Sequence, residues 1–251
     1  MPSGYYDGYG SNHHTHWVWH TKSHNCITLS GAGQIMRSHD SIGSIDNPFE
    51  DENLIYFRGT ADASYADRAQ RCRRHVCFLK FHQCFFIVDE FVAKPGIVSA
   101  PEWNIHSWAS YDIDENERTF RTEREGSALT GHFLYHHNSF FALSEGWNPP
   151  PNPDKDTAQW HNQYHLRFIP AGLVKRRNLG VLLAPEHAHL TPPAVETRRR
   201  NATELACIGD DLVAVNQGEG ITCDGIQTGA LAIITVDGIT YEVTDDRITQ
   251  A

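Results

Sequence analysis

The sequence predicts an all-β protein, a two-layer antiparallel β-sandwich with little helix. Short apolar runs recur along the chain with turn residues between them. Few segments keep a 3.6-residue apolar period for more than about ten residues, which leaves little room for helices. Two hairpins are also legible. With 251 residues and the same strand character throughout, the chain reads as a single domain over 1–251.

Taken in order, Cys26 to Leu29 is a short apolar run closed by the Ser30-Gly31-Ala32-Gly33 turn, and Leu54 to Thr60 is a second run. Val76 to Lys80 and Cys84 to Val88 flank Phe81-His82-Gln83, which reads as a hairpin with a three-residue connection. Further strands are expected near 102–107, 119–123, 132–136, 139–143, 165–169 and 181–183. Ala230 to Val236 and Ile239 to Val243 enclose Asp237-Gly238, the pair that suits a type I′ turn, where both central residues need positive φ. Trp147 to Asp154 is a stiff Pro-rich loop. Thr191-Pro192-Pro193 with Arg198-Arg199-Arg200 marks a second irregular stretch.

A formal charge of −10 argues against general nucleic-acid binding, which needs a basic surface, but leaves room for a local basic groove. No run approaches the roughly 20 apolar residues that span a membrane. Met1-Pro2-Ser3-Gly4 shows neither a basic nor an apolar leader region, so the expectation is a cytoplasmic protein or a true start elsewhere. Six cysteines form no CxxC pair and sit mostly in apolar runs, as small buried hydrophobes do. Asn201-Ala202-Thr203 is a glycosylation sequon in form only.

The segment from Gly4 to Asn25 holds five of the sixteen histidines, two of the six tryptophans and three of the nine tyrosines. Aromatic rings stack on sugars, and neutral imidazole binds metals or moves protons. In extended conformation His14, His16, His20, Lys22 and His24 would share one face, with Trp17 and Trp19 on the other. Tyr5, Tyr6 and Tyr9 either stack on sugar rings or pack an aromatic corner. His14, His16 and His20 either line a groove or hold a metal, and His24 either ligates a metal or bonds a turn carbonyl. Arg71, Arg73 and His75 share one strand face, as anion contacts or as a solvated face. Asp89 and Glu90 point to opposite faces and do not share a proton.

Thr21-Lys22-Ser23-His24-Asn25, followed by the hairpin from Arg73-Arg74-His75 to Val88-Asp89-Glu90, resembles the C-terminal part of heparinase II/III-like polysaccharide lyases. Glu102-Trp103-Asn104-Ile105-His106-Ser107 resembles that family's next strand. The likeness covers roughly 2–110. It implies a β-sandwich that packs, in longer relatives, against an N-terminal α/α toroid. It also implies β-elimination of a uronic-acid polysaccharide: a base takes the C5 proton, donors neutralise the carboxylate, and an acid protonates the departing C4 oxygen.

The departures shape the expectation. The toroid that carries the catalytic tyrosine is absent, so no catalytic residue is assigned within this chain. The family's metal-binding aspartate aligns with Pro2, while His24 aligns with a zinc-ligand histidine, so His24 is the metal candidate and zinc the candidate ion. Tyr5, Tyr6, His14 and Arg73 are the substrate-contact candidates. The expected partners are an acidic polysaccharide and a separate toroid, with neither nucleic acid nor membrane. The resemblance implies a periplasmic or extracellular site. A sheet face that relatives cover would be an exposed apolar patch here and favour self-association. The alternative is a non-catalytic carbohydrate-binding or scaffold sandwich.

Overall fold

The structure, a computed structural model, describes residues 7–135, 137–152, 162–200, 203–223 and 225–251. In chain order the strands are β1 (Ile27–Leu29), β2 (Ser44–Glu50), β3 (Leu54–Thr60), β4 (Ala69–Leu79), β5 (Cys84–Ala93), β6 (Pro101–Ser107), β7 (Tyr111–Asp114), β8 (Thr119–Arg124), β9 (Ser127–Leu134) and β10 (Ser139–Glu145). There follow β11 (Tyr164–Pro170), β12 (Arg176–Glu186), β13 (Glu196–Arg200), β14 (Thr203–Ile208), β15 (Asp211–Val215), β16 (Ile221–Cys223), β17 (Ile226–Thr228), β18 (Ala232–Val236), β19 (Ile239–Val243) and β20 (Ile248–Gln250). Every pairing among them is antiparallel, and no helix among the described residues is long and apolar enough to cross a membrane.

The antiparallel sandwich is present, and its widest sheet is packed on both faces. A front sheet of four strands runs β1-β6-β11-β10. The middle sheet runs β2-β3-β4-β5-β12-β9-β8-β7 and the back sheet β13-β14-β15-β18-β19-β20. Strand parity decides which interface each residue joins, because successive side chains leave opposite faces. From β5, Cys84, Phe86 and Val88 pack toward Ala206, Val213, Ile234 and Tyr241 of the back sheet. Phe91 and Ala93 of the same strand pack toward Ile27, Trp103, Ile105 and Phe168 of the front sheet. Double-sided burial explains why the middle strands read as nearly continuous apolar runs.

Two hairpins follow the sequence closely. Leu79 and Cys84 close the turn between β4 and β5. Asp237 and Gly238 both have positive φ (51° and 74°), the type I′ geometry their identities demand. At Gly131, paired with Phe120 across β8 and β9, a Cβ would lie 2.2 Å from the Phe120 ring, so only glycine lets that ring lie flat over its partner.

The N-terminal segment corrects the extended reading. His14–Val18 forms a π-helical turn and Thr21–Ser23 a 3₁₀ turn, so the histidines do not share a strand face. Side chains that bond nearby backbone cause this. Ser11 Oγ accepts from the His14 N–H at 3.1 Å, His20 Nδ1 accepts from the Lys22 N–H at 3.1 Å, and Ser23 Oγ donates to the His20 carbonyl at 2.9 Å. The segment lies as a cap over the front sheet.

Candidate functional site

The outward face of the front sheet carries the polar side chains that the alternation of β6 and β11 sends away from the core. Glu102, Asn104 and His106 alternate with Trp103 and Ile105; His165 and Arg167 alternate with Leu166 and Phe168. Antiparallel register sets His165 opposite His106 and Arg167 opposite Asn104, and β1 adds Thr28 beside Glu102. The cap covers one end of this face with Trp17 and Lys22. The result is a groove of about 300 Å³ between the cap and the Ser144–Asn148 loop.

Asn104 organises the floor. Fully buried, it donates through Nδ2 to the Cys26 carbonyl at 2.8 Å and the Glu102 carbonyl at 3.0 Å. Its Oδ1 accepts from His165 Nε2–H at 2.8 Å. Asn25 Oδ1 accepts from both the backbone N–H and Nδ1–H of His106, each at 3.1 Å. These amide oxygens fix one tautomer for each imidazole. The two rings stack with centroids 4.3 Å apart, and Trp17 stands edge-on to both at 6.2 and 5.9 Å.

Burial removes the charge from this pair. It pushes the His106 pKa down to about 2, helped by neighbouring His165, and the His165 pKa down to about 3, helped by Arg167 and Lys22. Both are neutral imidazoles near neutral pH and hold no spare proton to give a leaving group. Above them, Glu102 accepts from Thr28 Oγ1 at 3.0 Å and from Arg167 at 3.4 Å. Lys22 Nζ sits 5.4 Å from the centre of the Trp17 ring. Burial, then the nearby Arg167 charge, lowers the Lys22 pKa. The groove thus presents Lys22 and Arg167 as its cations above a buried floor of Trp17, Asn104 and His165, an arrangement suited to an anion.

The residues singled out in the sequence are scattered. Tyr5 and Tyr6 lie outside the described residues. His14 is buried in the cap, where its Nδ1 accepts from the Gly10 N–H at 2.9 Å and its ring packs on Tyr9 and Trp19 at 4.7 and 4.8 Å. Arg73 is not brought to the groove: it leaves the opposite face of the middle sheet and grips Asp62 through Nε and Nη2 at 3.0 and 2.8 Å. His24 Nε2–H donates to the Val18 carbonyl at 3.1 Å, one of the two roles its position allowed. Among the described residues no three His, Cys, Asp or Glu side chains gather as a metal site, so these residues do not by themselves fit a zinc ion. The residues that build the groove were visible as polar alternation in β6 and β11, a signal of one polar face that names no role.

Two other cavities lack such chemistry. One of about 390 Å³ lies between β1 and the β2–β3 edge, with apolar walls from Ile27, Ile45 and Tyr65. Its charged groups are already paired, Arg74 with Asp89 and Arg73 with Asp62, each at 2.8 Å. The other, about 1000 Å³, opens among hairpin tips. Its centre is structural: Asp211 accepts from His82 Nε2 at 2.7 Å and from the Asp237 N–H at 2.9 Å, tying three turns together.

The fold is an all-antiparallel sandwich with a polar outer groove, and comparisons with known proteins agree with that class. The chain belongs to the heparinase II/III-like C-terminal family, whose model matches residues 1–185. Among solved structures it is similar to heparan sulfate lyase HepC from Pedobacter heparinus, at 14% identity over 100% of this chain and 34% of that one, with a TM-score of 0.63. A heparinase III with methylated lysines matches at 15% identity over 96% of this chain and 33% of its own, TM-score 0.62. Another heparinase III matches at 9% identity over 85% and 33%, TM-score 0.60. Likeness at these identities establishes the fold, and the chain spans about a third of the length of these relatives. No curated protein matches it.

Proposed function

We propose that this chain is the sheet module of a polysaccharide lyase, binding a uronic-acid polymer on its front sheet while further catalytic groups come from a separate α/α toroid. The observation that carries this reading is the groove over β6 and β11, where Lys22 and Arg167 stand above the neutral His165 imidazole that stacks on His106. β-Elimination needs a base for the C5 proton, a neutraliser for the carboxylate and an acid for the departing C4 oxygen. The groove supplies cations for the neutralising role. Its described lining holds no tyrosine, and its imidazoles are far from the near-neutral pKa that suits proton transfer. The module is therefore incomplete as a catalyst on its own.

The test is to incubate the purified chain with heparan sulfate, chondroitin and alginate and follow unsaturated-uronate absorbance. The expected result is no turnover by the chain alone, and turnover once a separately expressed family toroid is added. Robust turnover by the chain alone would overturn the division of labour. A second reading, a non-catalytic glycan-binding module, is favoured by the same depressed imidazoles. Binding with no activity in the reconstituted pair would select it.

A further inference from the structure

In the inner part of the groove, away from its exposed rim, two cations face one carboxylate. Lys22 and Arg167 face one inner carboxylate, Glu102, and that carboxylate is engaged by Arg167 and Thr28. Among the described residues no carboxylate lies within ion-pair distance of Lys22, whose Nζ rests against the Trp17 ring. Glu145 is at the exposed rim, where it accepts from Asn162. His20 and His165, the other titratable groups close to Lys22, add no negative charge. A half-buried ammonium beside a guanidinium, with one inner carboxylate between them, is short of a counter-charge among the described residues.

We propose that Lys22 and Arg167 form a subsite for one anionic group, the carboxylate or sulfate ester of a glycan residue. This rests on the glycan reading above and adds to it the residues that select charge. The anion fills the gap between the two cations, accepts from Lys22 Nζ and the outer Arg167 N–H groups, and leaves the Glu102–Thr28 bond in place. Burial and Arg167 both disfavour the charged amine in the free protein. An anion favours it, so binding draws a proton onto Lys22 wherever part of it is neutral.

The test uses the full chain with four probes: an unsulfated glucuronate–N-acetylglucosamine tetrasaccharide, its sulfated counterpart, cellotetraose and sodium sulfate. Calorimetry in buffers of different ionisation heat, at alkaline pH, reads affinity and proton uptake together. The expected result is binding of the charged tetrasaccharides and not of cellotetraose, with proton uptake. Lys22→Met should weaken binding at least about tenfold, and Lys22→Arg should keep affinity while abolishing the uptake. Comparing the two charged tetrasaccharides tells carboxylate from sulfate. Thermal melts establish that each variant is folded. Undiminished affinity in folded Lys22→Met, or equal binding of cellotetraose, would overturn the subsite even if the chain binds glycans. Sulfate binding with Lys22-dependent uptake, and no tetrasaccharide binding, would keep the subsite and sink the glycan reading. Binding of none of the four would overturn both.

Discussion

Between the middle and back sheets, Arg58, Arg71, Arg73 and Arg176 meet Asp46, Asp62, Glu90, Asp245 and Asp246, four guanidiniums against five carboxylates. In the groove on the front sheet, among the described residues, Arg167 pairs with Glu102 and Lys22 with no carboxylate. Both places set basic side chains against carboxylates. The arginine cluster is satisfied by its own chain: the turn after β19 brings Asp245 and Asp246 onto the arginines, and the Asp245 carbonyl accepts from Arg58 at 2.7 Å. The contrast teaches that an arginine-rich strand face indicates binding only when its counter-ions are missing, a property of the assembled sheets.

The contrast can be broken most severely with acid. His75 sits among the clustered arginines with its pKa lowered to about 4 by burial and by Arg58 and Arg73, while His106 and His165 lie beneath the groove at about 2 and 3. All three lie below the ordinary histidine value, so the stability they hold is complete above about pH 6.5 and is lost as pH falls toward the folded values. Three such groups would cost roughly 4 kcal/mol between pH 7 and 5.5. Urea midpoints measured across that range should fall steeply, and a flat profile would show that the imidazoles are hydrated.

Next in size is the buried pair of Arg74 and Asp89, joined at 2.8 and 2.9 Å between the front and middle sheets. Asp89→Asn or Arg74→Met leaves an uncompensated buried charge and should cost about 3–5 kcal/mol in equilibrium unfolding. Lys22→Met is the opposite case. Removing a cation without a carboxylate should leave stability unchanged within about 0.5 kcal/mol, or raise it. A loss as large as that of Arg74→Met would mean that Lys22 is structural. Smallest of all, Phe81 is 84% exposed at its hairpin tip, and Phe81→Ala should fall within about 0.5 kcal/mol of the parent in the same melts.

Much of the sandwich was legible because its signals are local. The Asp237-Gly238 turn, the Leu54–Thr60 strand and the β4–β5 hairpin each depend on residues adjacent in sequence. The opposed roles of Asp89, bound to Arg74, and Glu90, bound to Arg71, follow from parity alone. What the sequence hid depends on distant partners. Arg73 bonds the carbonyl of Asp245, 172 residues away, and no strand pattern announces that. The histidine-rich segment misled for a different reason: Ser11, His20 and Ser23 hand their side chains to neighbouring backbone, so alternation that suits a strand became two short turns. His106 and His165 were hidden as one polar face of two expected strands, and only the register between β6 and β11 stacks them.

The cap has a consequence of its own. Residues 8–26 contribute no strand to any of the three main sheets and are fastened mainly by side-chain bonds, such as Thr21 Oγ1 accepting from Gln34 N–H at 2.7 Å. The cap can lift without breaking a single ladder, at a fraction of the free energy that unfolds the sandwich. Deuterium should therefore enter the amides of Lys22, Ser23 and His24 well before those of Phe86 and Val88. Each such excursion would bare the stacked imidazoles to solvent for a moment while the sheets beneath stay shut.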